Sequence, residues 1–499
     1  MKKFDKGYRR GRWTPLATFA LLSVSAAAHA EWKALDALKN RFDARVSAVA
    51  VDLDTGATLQ ALDAETRLTP ASLTKVVLAA AALETWDVDK TFATRVVGAP
   101  VAADGKLPGD LVVYSEGDAT FDHQDLWLLA AQVKQAGVRA IAGGVVVNAA
   151  PFGRLGCETK DRCEAVARSH TAYDAPLAAI GVDYGTWCVD VTPTAPGDTA
   201  RVRSCAAVDV PIPLEGAIRT TNSKRSTWLW LDRISRPTSE ALLMGGDIHP
   251  GGSDARLYRS MADPALGTGL LLRAVLNEIG VAVSGAVSVS DGAVPRGAHL
   301  LAETQSLPLR EQVGRLLRYS NNYISDVLTL AMAAERTPQP VTTLADAAFP
   351  LADLIVRARA ESGYPAPRNG ADRPQLFSGS GLTPENRLSA QDLVAVLRQQ
   401  YRSTQTFPVF YGGLVVPGQA PHAAIRIGND AWKDRVALKT GTLSEPYSVF
   451  GTAGYLRKQN GGWIAFAAVV NGASARKSVP MRESLAAIRK DVETLLVKF

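Results

Sequence analysis

The chain has 499 residues, 47% apolar and 21% charged, an ordinary globular composition with ample material for a core. Its length predicts either two to four domains or one domain carrying a large insertion. The formal charge of +6 is concentrated at the start. Residues 1–30 hold Lys2, Lys3, Lys6, Arg9, Arg10 and Arg12 against Asp5, and the remainder is near neutral. That balance gives no electrostatic case for a nucleic-acid partner.

Residues 1–30 read as a secretory signal: a basic start, an apolar stretch from Pro15 to Ala28, and Ala28-His29-Ala30 ahead of Glu31. The apolar stretch is shorter than the roughly 20 residues that span a bilayer. The mature protein is therefore expected to be exported and periplasmic, either soluble or loosely membrane-associated. Four cysteines fit that compartment: Cys157, Cys163, Cys188 and Cys205. Four cysteines allow three pairings, and spacing does not choose among them. The histidines are scattered, so no metal site is expected.

After the signal, Trp32 to Phe42 predicts a short amphipathic helix. Val46–Leu53, the turn Asp54-Thr55-Gly56, and Ala57–Leu62 predict a hairpin. The hairpin leads into Thr69-Pro70-Ala71-Ser72-Leu73-Thr74-Lys75 and an apolar run ending at Trp86. That run is apolar on nearly every face, which predicts a buried helix. Ser72 and Lys75 sit three residues apart at its start and face the same side. Such a polar pair on a buried first turn is unusual, although the pattern S-x-x-K by itself is common.

From Thr91 to about residue 300 the pattern changes to short β-like runs separated by Gly, Pro and Asp turns, with helical pieces at 124–137 and 265–279. No catalytic residue types cluster there. This region reads as one or two accessory domains, inserted into the domain that holds Ser72. Helical patterns then return at 309–319, after Ser320-Asn321-Asn322, at 342–362 and at 389–399. Ser389 and Asp392 suit a capped helix start. From Val436 the chain reads as strands (436–441, 449–457 and 463–470), followed by a closing amphipathic helix, 481–497. The expected architecture is α+β, a mostly antiparallel sheet built from the two chain ends and covered by helices.

Three short elements occur in order: Ser72-Leu73-Thr74-Lys75, Ser320-Asn321-Asn322 and Lys439-Thr440-Gly441. They are the serine–lysine, S-x-N and K-T-G signatures of the penicillin-recognising serine acyl-transferases. The mature chain resembles the D-alanyl-D-alanine carboxypeptidase/endopeptidase family of low-molecular-mass class C penicillin-binding proteins, peptidase family S13. The 244 residues between Lys75 and Ser320 match that family's long insertion. Asp54-Thr55-Gly56, Gly117-Asp118-Ala119-Thr120, Gly379-Ser380-Gly381-Leu382 and Thr442-Leu443 after K-T-G are similar to it as well. The chain has Ser378 where the family usually has Asp and Ala119 where it usually has Pro. It matches the family's glycine-rich segment poorly across 414–427, and Ser444-Glu445-Pro446-Tyr447 extends beyond the usual pattern.

The resemblance implies a β-lactamase/transpeptidase-like serine acyl-transferase domain with helices on both faces of the sheet and a helical subdomain. That domain would comprise residues 31–95 and 300–499, with 96–299 as the inserted small β-rich domains. It implies a serine-type D-Ala-D-Ala carboxypeptidase, and also a D,D-endopeptidase, whose partners are peptidoglycan stem peptides and, as covalent inhibitors, β-lactams. A serine hydroxyl needs a neighbour to take its proton. All six histidines lie outside the motifs, so Lys75 is the candidate general base for Ser72. Ser320 is placed to relay a proton and Asn322 to position Lys75 and the substrate. Lys439, Thr440, Gly441 and Thr442 are the candidate substrate-binding residues. By resemblance, the backbone N–H groups of Ser72 and Thr442 form the oxyanion hole. This chemistry requires no cofactor. A β-lactamase and a weakly active envelope protein that binds peptidoglycan are the alternatives.

Overall fold

A computed structural model describes residues 32–499 except 151, 154, 156–163, 165–167, 169, 223–226, 237–238, 338–342 and 366–372. The expected export signal, together with Cys157 and Cys163, lies outside the described residues.

The strand Arg45–Asp52 pairs on one side with Thr58–Leu62, as the hairpin pattern predicts. On its other side it pairs antiparallel with Trp463–Asn471, Arg45 lying opposite Asn471. Val449–Arg457 and Val436–Leu443 complete a five-stranded antiparallel sheet. Seven of the eight residues of Arg45–Asp52 are buried, because the sheet is covered on both faces. Successive side chains point to opposite sides. Val46, Ala48 and Ala50 join a core with the terminal helices Lys33–Phe42 and Met481–Lys498. Val49 and Val51 join a second core with the helices Thr74–Thr85 and Ala390–Arg402. Double-sided burial is why these strands read as unbroken apolar runs. Among the described residues, no helix is long and apolar enough to cross a membrane.

Thr74–Thr85 is the hub of the second core. Every residue from Thr74 to Leu83 is buried, and the helix packs against Leu309–Arg318, Asn322–Arg336, Leu351–Glu361 and Ala390–Arg402. The last of these carries the expected cap. The Asp392 N–H donates to Ser389 Oγ (3.0 Å), and the Ser389 N–H donates to the Asp392 carboxylate (3.0 Å).

The chain enters and leaves the inserted region on neighbouring strands, Ala93–Gly98 and His299–Gln305, which pair antiparallel. They belong to a five-stranded mixed sheet packed on the helices His123–Gln135 and Pro264–Glu278. Three-stranded sheets, including 214–220/239–248/228–236, extend from it. Buried residues of both parts form one continuous core, from Val96 and Val113 through Val189 to Leu231 and Leu242. Cys188 is disulfide-bonded to Cys205, with Cα atoms 5.4 Å apart, which selects one of the pairings that spacing left open. Closing a loop of this length contributes roughly 3 kcal/mol.

The turn Gly117-Asp118-Ala119-Thr120 joins the insertion to the body of the protein. Asp118 Oδ1 accepts the Thr120 N–H and hydroxyl (2.8 and 3.0 Å), and Thr120 Oγ1 accepts the Leu307 N–H (3.0 Å). Asp118 is buried, and its Oδ2 has no hydrogen-bond partner among the described residues. Burial, aided by the nearby Asp125 carboxylate, pushes Asp118 up to about 7 against the hydrogen bonds from Thr120. Between roughly pH 4 and 7 the native state thus holds a proton that the unfolded chain has released. Stability from this group is full at lower pH and is lost as pH rises through about 7. Asp118→Asn should therefore stabilise the protein by roughly 2–4 kcal/mol at pH 8 and change it little at pH 4. Denaturant unfolding of both proteins at the two pH values checks this, and parallel pH profiles would refute it.

Candidate active site

The nucleophile candidate stands at a sharp entry to the buried helix. Ala71–Leu73 is a single 3₁₀ turn, and Ala71 has a left-handed φ of 50°. The K-T-G strand lies directly against this turn. A β-carbon on Gly441 would come within 2.6 Å of the Pro70 carbonyl oxygen, so glycine is what allows the close approach.

Lys75 is fully buried one turn below Ser72. Its Nζ lies 3.0 Å from Ser72 Oγ, 2.8 Å from Asn322 Oδ1 and 2.6 Å from the Ser380 carbonyl oxygen. Asn322 opens the helix Asn322–Arg336, and Asn321 caps that helix by accepting the Ile324 N–H (2.9 Å). The capping residue is thus the variable middle position of S-x-N. Ser320 precedes it with a φ of 58°. Its Oγ lies 2.9 Å from Lys439 Nζ. Lys439 also donates to the Thr440 carbonyl (2.6 Å) and is almost completely buried. Burial pulls the Lys439 ammonium down to about 7. All three sequence motifs therefore meet in two linked clusters, Ser72–Lys75–Asn322 and Ser320–Lys439.

A cavity of about 660 Å³ opens above them. Ser72, Ser320, Asn322 and Thr442 face it, with Ser444 and Glu445 at one edge. The extension after K-T-G noted in the sequence is therefore part of the cleft rim. Thr440 and Gly441 lie on the strand that forms this wall.

Two segments outside the three motifs also reach the site. The first is the loop Phe377–Thr383, whose Gly379-Ser380-Gly381-Leu382 resembles the family but had no role assigned from the sequence. Its Ser380 carbonyl takes a Lys75 hydrogen bond, while the Ser380 N–H donates to Asp326 Oδ1 (2.8 Å). Gly381 adopts a φ of 71°, and a β-carbon on it would overlap the Ala71 carbonyl oxygen. Ser378, at the position where the family usually has Asp, accepts the Gly381 N–H (3.1 Å) and closes the turn. Asp326 stands four residues after Asn322, on the same helical face, a spacing that offered a readable signal. The second is the inserted region, expected to be purely accessory. Its Tyr173 carbonyl accepts the Asn322 amide N–H (3.0 Å), and Arg168, His170 and Thr171 line the same cavity as Ser72 and Thr442. Nothing local in the sequence marks that segment, because its role comes from where the insertion folds back. Among the described residues, no group of three His, Cys, Asp or Glu side chains is placed to hold a metal ion.

The architecture is that of a β-lactamase/transpeptidase-like acyl-transferase, a terminal-strand sheet with the serine helix behind it, carrying a β-rich insertion. The crystal structure of penicillin binding protein 4 from Haemophilus influenzae superposes with a TM-score of 0.71 at 21% identity, covering 93% of this chain and 99% of that one. The family model for the D-Ala-D-Ala carboxypeptidase 3 (S13) family matches residues 33–492, and the chain belongs to that family. Relatives include the D-alanyl-D-alanine carboxypeptidase of Actinomadura sp. strain R39, 28% identical over 95% of this chain and 88% of that protein. D-alanyl-D-alanine carboxypeptidase DacB of H. influenzae is 24% identical over 81% of this chain and 80% of that protein.

Proposed function

We propose that the protein is an exported serine D,D-carboxypeptidase that removes terminal D-alanine from peptidoglycan stem peptides through an acyl-enzyme on Ser72. The observation that carries this reading is the Lys75 amine, which touches both Ser72 Oγ and Asn322 Oδ1 at the floor of the cavity. Ser72 passes its proton to Lys75 as its Oγ attacks the penultimate D-alanine carbonyl. The Ser72 and Thr442 backbone N–H groups receive the oxyanion. Lys439 and the Thr440 hydroxyl hold the terminal carboxylate. Asn322 orients Lys75, and Ser320 delivers a proton to the leaving D-alanine nitrogen. Water then releases the acyl group. A β-lactam carbonyl is open to the same attack, and its adduct lacks a departing amine.

Intact-mass measurement with penicillin, combined with D-alanine release from a pentapeptide muropeptide, tests the proposal. A persistent adduct together with D-alanine release is expected. Rapid adduct turnover would favour a β-lactamase. An unlabelled protein that releases no D-alanine would leave only peptidoglycan binding.

The buried Lys439 gives a second expectation. Below about pH 7 it is cationic and attracts the substrate carboxylate; above that pH it is neutral. Binding of a D-Ala-D-Ala peptide to the Ser72→Ala variant should therefore be constant from pH 6 to 7 and then weaken by up to about tenfold per pH unit. In Lys439→Arg, protonated throughout, this dependence should vanish. Calorimetric titration from pH 6 to 9 checks it; a flat profile in the Lys439 protein would refute a loss of the Lys439 charge in this range, and equal binding by a Lys439→Met variant at pH 6 would refute the carboxylate role.

A further inference from the structure

A second, smaller cavity adjoins the site on the side away from Thr442 and Glu445. It holds about 220 Å³ and is lined by Arg318, Tyr319, Val415, Val416, Gln419 and Pro421. Two links place it next to the catalytic candidates. Tyr319 is the residue before Ser320, and Val415 exchanges both backbone hydrogen bonds (2.8 and 2.9 Å) with Leu438, the residue before Lys439. The pocket therefore lies beyond the Ser320–Lys439 pair, whereas the large cavity lies on the Ser72 and Thr442 side of it.

Its chemistry is distinctive. Tyr319 is 69% exposed, a large aromatic surface that packing does not account for. Arg318 is exposed; among the described residues its side chain makes a single long hydrogen bond, 3.3 Å to the Gly412 carbonyl, and no carboxylate pairs with it. Val416 and Pro421 supply apolar wall. The pocket combines a flat aromatic, an aliphatic side and an uncompensated cation.

We propose that this pocket is the subsite for the leaving-group side of a cross-linked substrate, binding the peptide that carries the departing amine. The inference rests on the acyl-enzyme reading above and assigns residues to the endopeptidase cleavage that the family resemblance already implies. In that reaction the acyl half stays on Ser72, and the amine half departs past Ser320 after taking a proton. Free D-alanine as a leaving group is too small to need more than Lys439. When the departing amine belongs to a second stem peptide, the rest of that peptide continues past Lys439. There Tyr319 stacks on its backbone and Arg318 pairs with a stem carboxylate. Charge complementarity and adjacency to the Ser320–Lys439 pair both select this occupant.

The test compares two rates on the full-length mature protein: D-alanine release from a monomeric pentapeptide muropeptide, and cleavage of a D,D-cross-linked muropeptide dimer. The variants are Tyr319→Ala, Arg318→Ala, and Gln419→Trp, which fills the pocket from its exposed wall. The ratio of dimer cleavage to D-alanine release is expected to fall at least tenfold in each, with penicillin acylation reporting an assembled Ser72 site. An unchanged ratio, including equal loss of both rates through a disturbed Ser320, overturns the inference. So does a wild-type protein that releases D-alanine and leaves the dimer intact, an outcome that spares the carboxypeptidase reading. Wild-type failure on both substrates removes that reading and this one together.

Discussion

Ser72→Ala is expected to abolish the penicillin adduct and to lower D-alanine release by roughly 10⁵-fold or more, to the residual rate that the oxyanion hole and substrate binding still supply. The size follows from the chemistry, because without Oγ no acyl-enzyme forms and the remaining groups have no bound nucleophile to assist. The fold should survive. Ser72 sits on a single 3₁₀ turn, and its hydroxyl's hydrogen bond to Lys75 is one of several that hold that amine. Lys75 keeps Asn322 and Ser380, so the variant remains a competent binding protein and serves the pH titration of Lys439. Intact-mass spectrometry after prolonged incubation with penicillin decides the matter. A wild-type-like adduct on the alanine protein would place the nucleophile elsewhere.

Lys75→Met is expected to slow acylation by about 10²–10⁴-fold while leaving a trace of slow adduct formation, which separates a base from a nucleophile. The methionine preserves length and apolar packing but offers no amine to take the Ser72 proton. It also removes the Nζ bond to the half-buried Asn322 Oδ1 and strands the buried Ser380 carbonyl, a buried acceptor whose loss of its partner costs about 1–3 kcal/mol. A lowered unfolding midpoint should therefore accompany the kinetic loss. Acylation within about threefold of wild type, measured as a second-order rate with penicillin, would show that Lys75 is not the base. The two variants together distinguish removal of the attacking atom from removal of its proton acceptor.

Much of this organisation was legible because it depends on neighbours in sequence. The apolar run from Val76 marked a buried helix. Ser389 and Asp392 announced a capped helix start, and the hairpin at 45–62 was written in its turn residues and flanking strands. The three motifs are each a few residues long and each is tied to one local element: a helical first turn, a capped helix start and a strand. The disulfide was not legible. Four cysteines within 49 residues permit several pairings, and the approach of the strand Thr186–Thr192 to Arg201–Ser204 is what joins Cys188 to Cys205.

By itself the sequence determined which residues are the candidates for the chemistry, their order, and the type of element that presents each. The tertiary structure alone decided how they are wired. It sets Ser320 against Lys439 across 119 residues, turns the Ser380 carbonyl toward Lys75 across 305, and brings Tyr173 of the insertion onto Asn322 across 149. Local periodicity and turn chemistry act over a few residues and record which face of an element is apolar. Contacts between distant segments depend on how those faces pack around a shared core. The inserted region became one wall of the cleft in that way, although nothing within residues 168–173 distinguishes them from an ordinary loop.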